Sequence, residues 1–191
     1  MAGKTQFNKD AVLEAAMQVF WKLGLERASL SELEKATGLN KSSLYNSFGD
    51  KQELYRQCLD RFYHRYENKL VEHLDNPDFH DGIKRFFDAL VIRQRGQEVP
   101  SGCLATFSAL EREECEQETA QMMERELEGL HATFQKRCQR AVKEGQLPLD
   151  ADCNAIAAML LALSRGVAIL GRGHSDVGFA RNAVRGLLQS L

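Results

Sequence analysis

The stretch "TGLNKSSLYNSFGDKQELY", residues 37 to 55, places a short polar segment between two glycines. Gly38 tolerates the positive φ that a tight turn between two helices requires. Asn40 is positioned to cap the helix that follows. Leu44 and Phe48 have the spacing of one inward helical face, so the other side chains of this segment should lie outside. The stretch therefore predicts a short helix with a polar outer surface, held between two turns.

The residues before this stretch predict two more helices. An apolar stripe from Val12 to Leu23 predicts a first helix, with Asn8 as its cap and Gly24 at its end. Ser29 and Glu32 have the spacing of a capping box, which predicts the start of a second helix of about two turns. The first part of the chain should therefore contain three helices.

The rest of the chain also has helical periodicity. Asp50 and Glu53 form a second capping-box pattern, which opens a long fourth helix that should end before Asn76. Further helices are predicted at about 81–94, 104–114, 119–144, 151–170 and 177–190. No stretch alternates apolar and polar residues as a strand does, so the predicted fold class is all-α.

Composition narrows the setting but not the function. The chain has 191 residues, 43% of them hydrophobic, and a net charge of −2, so any affinity for a polyanion must come from a local patch. Five cysteines without a C-x-x-C pair favour a reduced, cytoplasmic location. The longest apolar stretch, residues 155 to 170, is interrupted by polar residues and is shorter than the ~20 residues of a membrane span. We therefore expect no membrane partner.

Two short helices joined by a glycine turn are typical of proteins that insert a recognition helix into the DNA major groove. Short polar side chains can reach base edges without pushing the helix out of the groove; the candidates are Ser42, Ser43 and Asn46. Cations and hydroxyl groups can bind phosphates; the candidates are Ser29, Lys41, Tyr45 and Lys51. The same turn is also common in helical bundles, and residues 1 to 55 carry seven basic and seven acidic residues, which is not a basic domain.

The order of these features resembles the TetR-type family of bacterial transcriptional regulators. The residues that match the family pattern are Ser29, Gly38, Leu39, Leu44, Tyr45, Phe48 and Lys51. The resemblance implies a three-helix helix-turn-helix domain at residues 1–50 and a helical-bundle domain for effector binding and dimerisation at 51–191. It also implies double-stranded operator DNA as a partner and a homodimer formed by the last two long helices. Glu34 departs from the pattern, since the family often has a small residue there, so its carboxylate should turn outward or pair with Lys35 or Lys41.

The second half of the chain agrees with this implied architecture. The segment "NAIAAMLLALSRGVAIL", residues 154 to 170, is apolar on nearly every side, so it can face both its own core and a partner helix. A narrower stripe on the last helix comprises Phe179, Ala183, Leu187 and Leu188. The alternative is that both helices belong only to the core of a monomer.

An effector of unknown identity would need a cavity in this half. Aromatic and sulfur-containing side chains that could line it, or could equally be plain core, are Phe62, Phe86, Phe87, Cys103, Phe107, Met123, Phe134 and Met159. The histidines His64, His73 and His80 have no metal-finger spacing, so we expect no metal site. No cofactor motif is present, so we predict no cofactor.

Cys103 is the most distinctive residue of this half. Pro100 and Gly102 break the preceding helix, so Cys103 should lie at a helix N-terminus, which favours a reactive thiolate. The Gly-Cys-Leu sequence also resembles the same segment in many TetR-type proteins, in some of which this cysteine senses electrophiles. An electrophile sensor and a buried packing thiol both remain open.

The sequence thus predicts a ligand-responsive, sequence-specific DNA-binding regulator. We expect a repressor that leaves a palindromic operator when a small molecule binds. The alternatives are a transcriptional activator, a thiol-dependent redox or detoxification enzyme using Cys103, and a purely structural helical dimer. No Ser/His/Asp constellation can be placed, so we predict no catalytic residues and no enzyme.

Overall fold

The computed structural model describes residues 7–93, 100–173 and 178–191, and within these ranges the regular elements are all helical. The first four helices are α1 (Lys9–Arg27), α2 (Leu30–Thr37), α3 (Lys41–Phe48) and α4 (Lys51–Phe62). A π-helical turn (Tyr63–Glu67), α5 (Asn68–Val71) and a 3-10 segment (Glu72–Asp75) continue α4. The remaining elements are α6 (Phe79–Arg93), α7 (Leu104–Ser108), a 3-10 segment (Ala109–Glu114), α8 (Gln117–Lys143), α9 (Cys153–Gly173) and α10 (Gly178–Ser190). The predicted all-α fold is confirmed; the predicted start of the last helix, residue 177, lies outside the described residues.

The first helix begins and breaks at the residues that the sequence indicated. The side chain of Asn8 accepts hydrogen bonds from the backbone N–H groups of Asp10 and Ala11 at 3.0 and 3.2 Å. Gly24 has φ 81° and ψ 175°, a conformation that essentially only glycine adopts. The chain then resumes a helical course up to Arg27. Gly24 therefore interrupts α1 near its end instead of terminating it.

Local capping fixes the two short helices that follow. Ser29 and Glu32 form both halves of the predicted capping box at the start of α2. Gly38 ends α2 in the left-handed conformation, with φ 70°. At the start of α3, Asn40 accepts from the backbone N–H of Ser43 at 2.9 Å. Short side-chain caps of this kind satisfy the unpaired donors of a helix start, so local contacts fix where α2 and α3 begin.

Glu34 adds a cap that the sequence pattern did not suggest. Its carboxylate accepts a hydrogen bond from the backbone N–H of Lys41, the first residue of α3, at 2.5 Å. The sequence predicted that this carboxylate turns outward or pairs with Lys35 or Lys41, and the bond goes to the backbone of Lys41. The departure from the family pattern therefore ties α2 to the start of α3.

The long fourth helix ends at Asp75, before Asn76 as predicted, but it is not a regular α-helix throughout. The turn from Tyr63 to Glu67 is a π-helix, in which each turn contains more residues than in an α-helix. Asp50 caps the start of α4 by accepting from the backbone N–H of Glu53 at 3.0 Å. The Glu53 carboxylate instead pairs with Arg56 at 2.6 Å, so only one half of the predicted capping box forms.

Two hydrophobic cores hold the helices together. The first core surrounds Trp21 of α1, whose ring lies 4.9 Å from the ring of Phe62 at the end of α4. This core also includes Cys103 and Met123 from the second half of the chain. It therefore spans both sides of residue 50, and the domain boundary stays a prediction. The second core packs α6 against α8, α9 and α10, with Phe134 of α8 fully buried.

Polar contacts join the second half of the chain to α1 and α4. The hydroxyl of Tyr55 in α4 donates to the Ser108 hydroxyl at 2.6 Å inside the core. Arg172 of α9 donates to the backbone oxygens of Trp21 and Lys22, at 3.3 and 2.6 Å. These bonds join α7 and α9 to the N-terminal helices.

Helix α9 (Cys153–Gly173) is longer than the apolar stretch, residues 155 to 170, which on the sequence alone was too short for a membrane span. It contains 21 residues, so by length and composition it is long and apolar enough to cross a membrane. One face packs in the second core, with Ala157 and Leu160 buried. Its outer face exposes apolar residues, including Met159 and Ile169. Pairing with the same helix of a second subunit would cover this face.

Candidate nucleic-acid interface

Helix α3 presents a polar surface above a buried apolar face. Leu44 and Phe48 are buried, which fixes the orientation of the helix. Of the residues predicted to contact base edges, Ser42 and Asn46 are exposed, and Asn46 donates from its amide to the Ser42 hydroxyl at 3.4 Å. Ser43 is only half-buried and lies at the helix start. The outer face of α3 therefore carries the donors and acceptors that base recognition requires.

The predicted phosphate contacts lie on both sides of this face. Lys41 is exposed at the start of α3, with its ammonium 5.9 Å from the centre of the half-buried Tyr45 ring. Lys51 opens α4 and donates from its ammonium to the backbone oxygen of Glu26 at 3.2 Å. This bond holds the cation beside the α1–α2 connection. Two of the phosphate-binding candidates, Lys41 and Tyr45, thus belong to α3, and the third, Lys51, opens the next helix.

Ser29 differs from the other phosphate candidates, because its hydroxyl already has a partner. The hydroxyl donates to the Glu32 carboxylate at 3.0 Å and accepts from the Glu32 backbone N–H at 3.2 Å. A phosphate at this site would meet the Glu32 charge. Ser29 therefore acts first as a structural cap, and its contact with DNA stays a prediction.

The structure does not bring the eight predicted effector-pocket residues together. Phe62, Cys103 and Met123 lie in the first core, whereas Phe86, Phe87 and Phe134 lie in the second core. Phe107 packs under the Arg172 guanidinium, which lies 4.2 Å from its ring centre. Met159 is 45% exposed on the outer face of α9.

A groove with a volume of about 600 Å³ lies between α6 and α10. Of the predicted pocket residues, only Phe87 lines it. The other lining residues were missed because they look like ordinary helix-face residues in the sequence. Their relation becomes visible only when α10 packs on α6.

Cys103 occupies a polar cluster in the interior. It is the N-cap residue of α7 and is only 1% exposed. The Arg165 guanidinium donates to the Glu67 carboxylate at 2.7 Å and also lies 3.6 Å from the Cys103 sulfur. Glu67 belongs to the π-helical turn. The pKa of the nearby Glu126 carboxyl is raised, mainly by its own partial burial and secondly by the negative charge of Glu67. Sequence reasoning missed Glu67 and Arg165, which are far apart along the chain.

The other cysteines differ in their surroundings, and all five are free thiols. Burial raises the pKa of Cys58, which is fully buried. Burial and the charges of Glu111 and Glu114 raise the pKa of the half-buried Cys115 to about 11, and burial raises that of Cys138 to about 12. Among the residues that the structure describes, no three His, Cys, Asp or Glu side chains are grouped to hold a metal ion.

Two family models match the chain. Residues 12–58 match "Bacterial regulatory proteins, tetR family", and residues 81–187 match "Tetracyclin repressor-like, C-terminal domain". The first match contains the whole of α2 and α3. The second covers more than half of the chain and includes most of the residues that line the groove between α6 and α10.

Individual proteins resemble the chain over most of its length. The HTH-type transcriptional repressor ComR of Escherichia coli (strain K12) is 28% identical over 169 residues, which are 87% of this chain and 80% of ComR. A cysteine-substituted TetR family transcriptional regulator CifR, in complex with 26bp double-strand operator DNA, is 26% identical with a TM-score of 0.89; the match covers 98% of this chain and 99% of that one. Reduced NemR from E. coli is 22% identical, with a TM-score of 0.80 and coverage of 93% and 94%, and shares the fold.

Proposed function

The chain belongs to the TetR family of bacterial regulatory proteins, and from this membership we propose that it is a repressor that a small molecule releases from a palindromic operator. It is a DNA-binding transcriptional regulator, and regulators of this family act as dimers with small-molecule effectors. We propose that it lowers transcription, and we propose which residues contact the DNA and how a small molecule releases the protein from the operator. It places the protein in the cytoplasm, where such regulators normally act.

The observation that carries the proposal is the outer surface of α3. Ser42 and Asn46 are exposed on it, and Lys41 lies at its start. In the proposal these polar side chains read base edges, while Lys41 and Lys51 bind phosphates on either side. Tyr45, Ser43 and Ser29 supply further contacts to the DNA.

A dimer would present two such helices to one operator. The 26bp operator DNA bound by the CifR relative supports this arrangement. In the proposed complex the two α3 helices enter successive major grooves about 34 to 36 Å apart. Operator half-sites should have the same spacing, since they must match the symmetry of the protein.

Release of the operator requires that the second half of the chain act on α1 and α4. Three contacts support such coupling: Tyr55 to Ser108, Arg172 to the backbone of α1, and the backbone of α1 to Glu111. A ligand that moves α7 or α9 would strain these bonds and alter the distance between the two α3 helices. No catalytic step is part of this proposal; the matched relatives are transcriptional regulators.

The proposal is tested by footprinting on the DNA upstream of the protein's own coding sequence. We expect protection of one discrete palindrome by the dimer, and loss of protection with a Ser42→Ala/Asn46→Ala double variant. Lys136→Gln, an exposed change on α8, is the matched control and should protect the palindrome normally. A purely structural dimer or a thiol-dependent enzyme would protect no discrete sequence. Deletion of the gene should raise expression of the neighbouring genes; lowered expression would indicate an activator.

A further inference from the structure

The groove between α6 and α10 has the size and lining of a ligand site. Its volume of about 600 Å³ lies within the usual range for small-molecule pockets. Its apolar floor comes from Phe87 and Val91 of α6 and from Val184 and Leu188 of α10. An organic ligand can therefore bury an apolar body between the two helices.

The edge of the groove is positively charged. Lys84, Asp88, Arg181 and Arg185 are the charged residues that line it. Asp88 is paired with Lys84 at 2.7 Å, so these two charges compensate each other. Arg181 and Arg185 lie one helical turn apart on α10, and both are exposed. The net charge facing the groove therefore comes from two guanidinium groups, which favour carboxylate, sulfonate or phosphate oxygens.

We propose that this groove binds an amphipathic organic anion, with the apolar body between α6 and α10 and the anionic group at Arg181 and Arg185. The inference rests on the proposed function of the chain as a ligand-responsive regulator, and it names the site and the chemical class of the ligand. It differs from the pocket predicted from the sequence, six of whose residues lie in the two cores; that pocket stays a prediction.

The two walls of the groove connect it to the rest of the molecule. Helix α6 packs on the 3-10 segment that ends the long fourth helix, and Asn76 there donates to Asp81 of α6 at 2.8 Å. Helix α10 packs on α9, the helix with the exposed apolar face. A ligand that separates α6 from α10 therefore acts both on the helix that leads to α3 and on the helix that faces the second subunit.

Calorimetric titration of the purified dimer tests the proposal with three probes of equal chain length: decanoate, decanol and decyltrimethylammonium. We expect decanoate to bind with one site per subunit, at least ten times more tightly than the neutral and cationic probes. The Arg181→Gln/Arg185→Gln variant should lose at least tenfold in decanoate affinity and retain its affinity for decanol. Arg125→Gln, which removes an exposed guanidinium on α8, is the control and should bind decanoate normally.

A second measurement separates failure of this inference from failure of the proposed function. The double variant should still be a dimer by sedimentation equilibrium and should bind operator DNA as tightly as the wild type without a ligand. Equal affinity for the three probes, or unchanged decanoate binding by the double variant, would overturn the anion site while operator binding stands. Loss of the dimer in the double variant would show that a second copy of the chain occupies the groove. Absence of operator binding by the wild type would overturn the proposed function itself.

Discussion

The carboxylate of Glu111 occupies the space beside Gly24 that a β-carbon on residue 24 would need. From this position the carboxylate accepts the backbone N–H of Leu25 at 2.8 Å. The contact joins the segment after α7 to the interrupted end of α1. The absence of a side chain at position 24 is therefore a requirement for this contact between Glu111 and the end of α1.

Gly24→Ala should destabilise the protein more than a comparable glycine change elsewhere. The backbone conformation at Gly24 is nearly exclusive to glycine, and the new methyl group would also displace Glu111 from Leu25. We expect the free energy of unfolding to fall by about 2 to 4 kcal/mol. Gly38→Ala is the control, since Gly38 has positive φ but open space around it, and should cost about 1 to 2 kcal/mol. Equal losses in urea titrations of the two variants would contradict the role of Glu111.

Changes on α3 and α4 should separate base recognition from phosphate binding. Asn46→Ala should change the preference among single-base operator variants at one position per half-site, by roughly 1 to 3 kcal/mol. Lys51→Ala should weaken binding to all sequences alike and make binding less dependent on salt. Binding titrations against a set of operator variants at two salt concentrations measure both effects. An equal loss of affinity for all operator variants with Asn46→Ala would show that Asn46 contacts the DNA backbone and not a base.

Gly166→Leu should break the dimer. Gly166 lies on α9, and apart from its chain neighbours and the backbone of its own helix a β-carbon there would meet no atom of this subunit within 4 Å, which leaves room for a close partner helix. A leucine at a packed helix contact costs about 1 to 3 kcal/mol per side chain, so the dimer dissociation constant should rise at least about tenfold. Sedimentation equilibrium measures the change. Gly129→Leu, on an equally open position of α8, is the control and should stay dimeric; monomers from both variants would indicate general misfolding.

Cys103 should react slowly with alkylating reagents in the native protein. It is buried beside Arg165, whereas Cys115 and Cys153 are half-exposed. A short pulse of iodoacetamide at neutral pH followed by mass spectrometry should label Cys153 before Cys103. Cys115 should gain reactivity as the pH rises toward its raised pKa of about 11, since the thiolate is the nucleophile. Labelling of Cys103 first, with release of the operator, would establish the sensor alternative.

Glu126→Gln should stabilise the protein at neutral pH. Burial and the nearby Glu67 raise the pKa of Glu126 in the folded state, so the folded protein holds the proton more tightly than the unfolded chain. The stabilisation from protonation is therefore present at low pH and is lost as the pH rises through the folded pKa. We expect a higher melting temperature for the variant at pH 7, with the gain shrinking toward about pH 4. Glu126 and Glu128 are both exposed residues of α8, so Glu128→Gln is a matched control and should give no gain.

Local features of this fold could be predicted from the sequence, whereas distant pairs could not. The caps at Asn8, Ser29 and Asn40 act over two or three residues, so spacing alone identifies them. The pair of Glu67 and Arg165 joins residues 98 positions apart and depends on how α9 crosses the long fourth helix. Helical periodicity does not predict how two helices cross, because an apolar stripe on one helix can pack against several other helices.

Of the two candidate sites, the local one could also be predicted from the sequence and the one built from distant segments could not. The outer face of α3 was predictable because the buried Leu44 and Phe48 determine which side chains point outward on so short a helix. The groove was not predictable, since its lining comes from two helices separated by most of the second half of the chain. Most of the aromatic residues predicted to line a pocket lie in the two cores, because large apolar side chains gain most from complete burial.

The π-helical turn from Tyr63 to Glu67 is the structure that the insertion of one residue into an ordinary helix produces. Each residue of an α-helix rotates the next by about 100°, so a chain with one residue fewer in this turn would form an ordinary α-helix. Its later side chains would then face a different direction, and a carboxylate at the position of Glu67 would no longer meet Arg165. Aligned family members that lack the wide turn should therefore show a one-residue gap here and no acidic–basic covariation between these two positions.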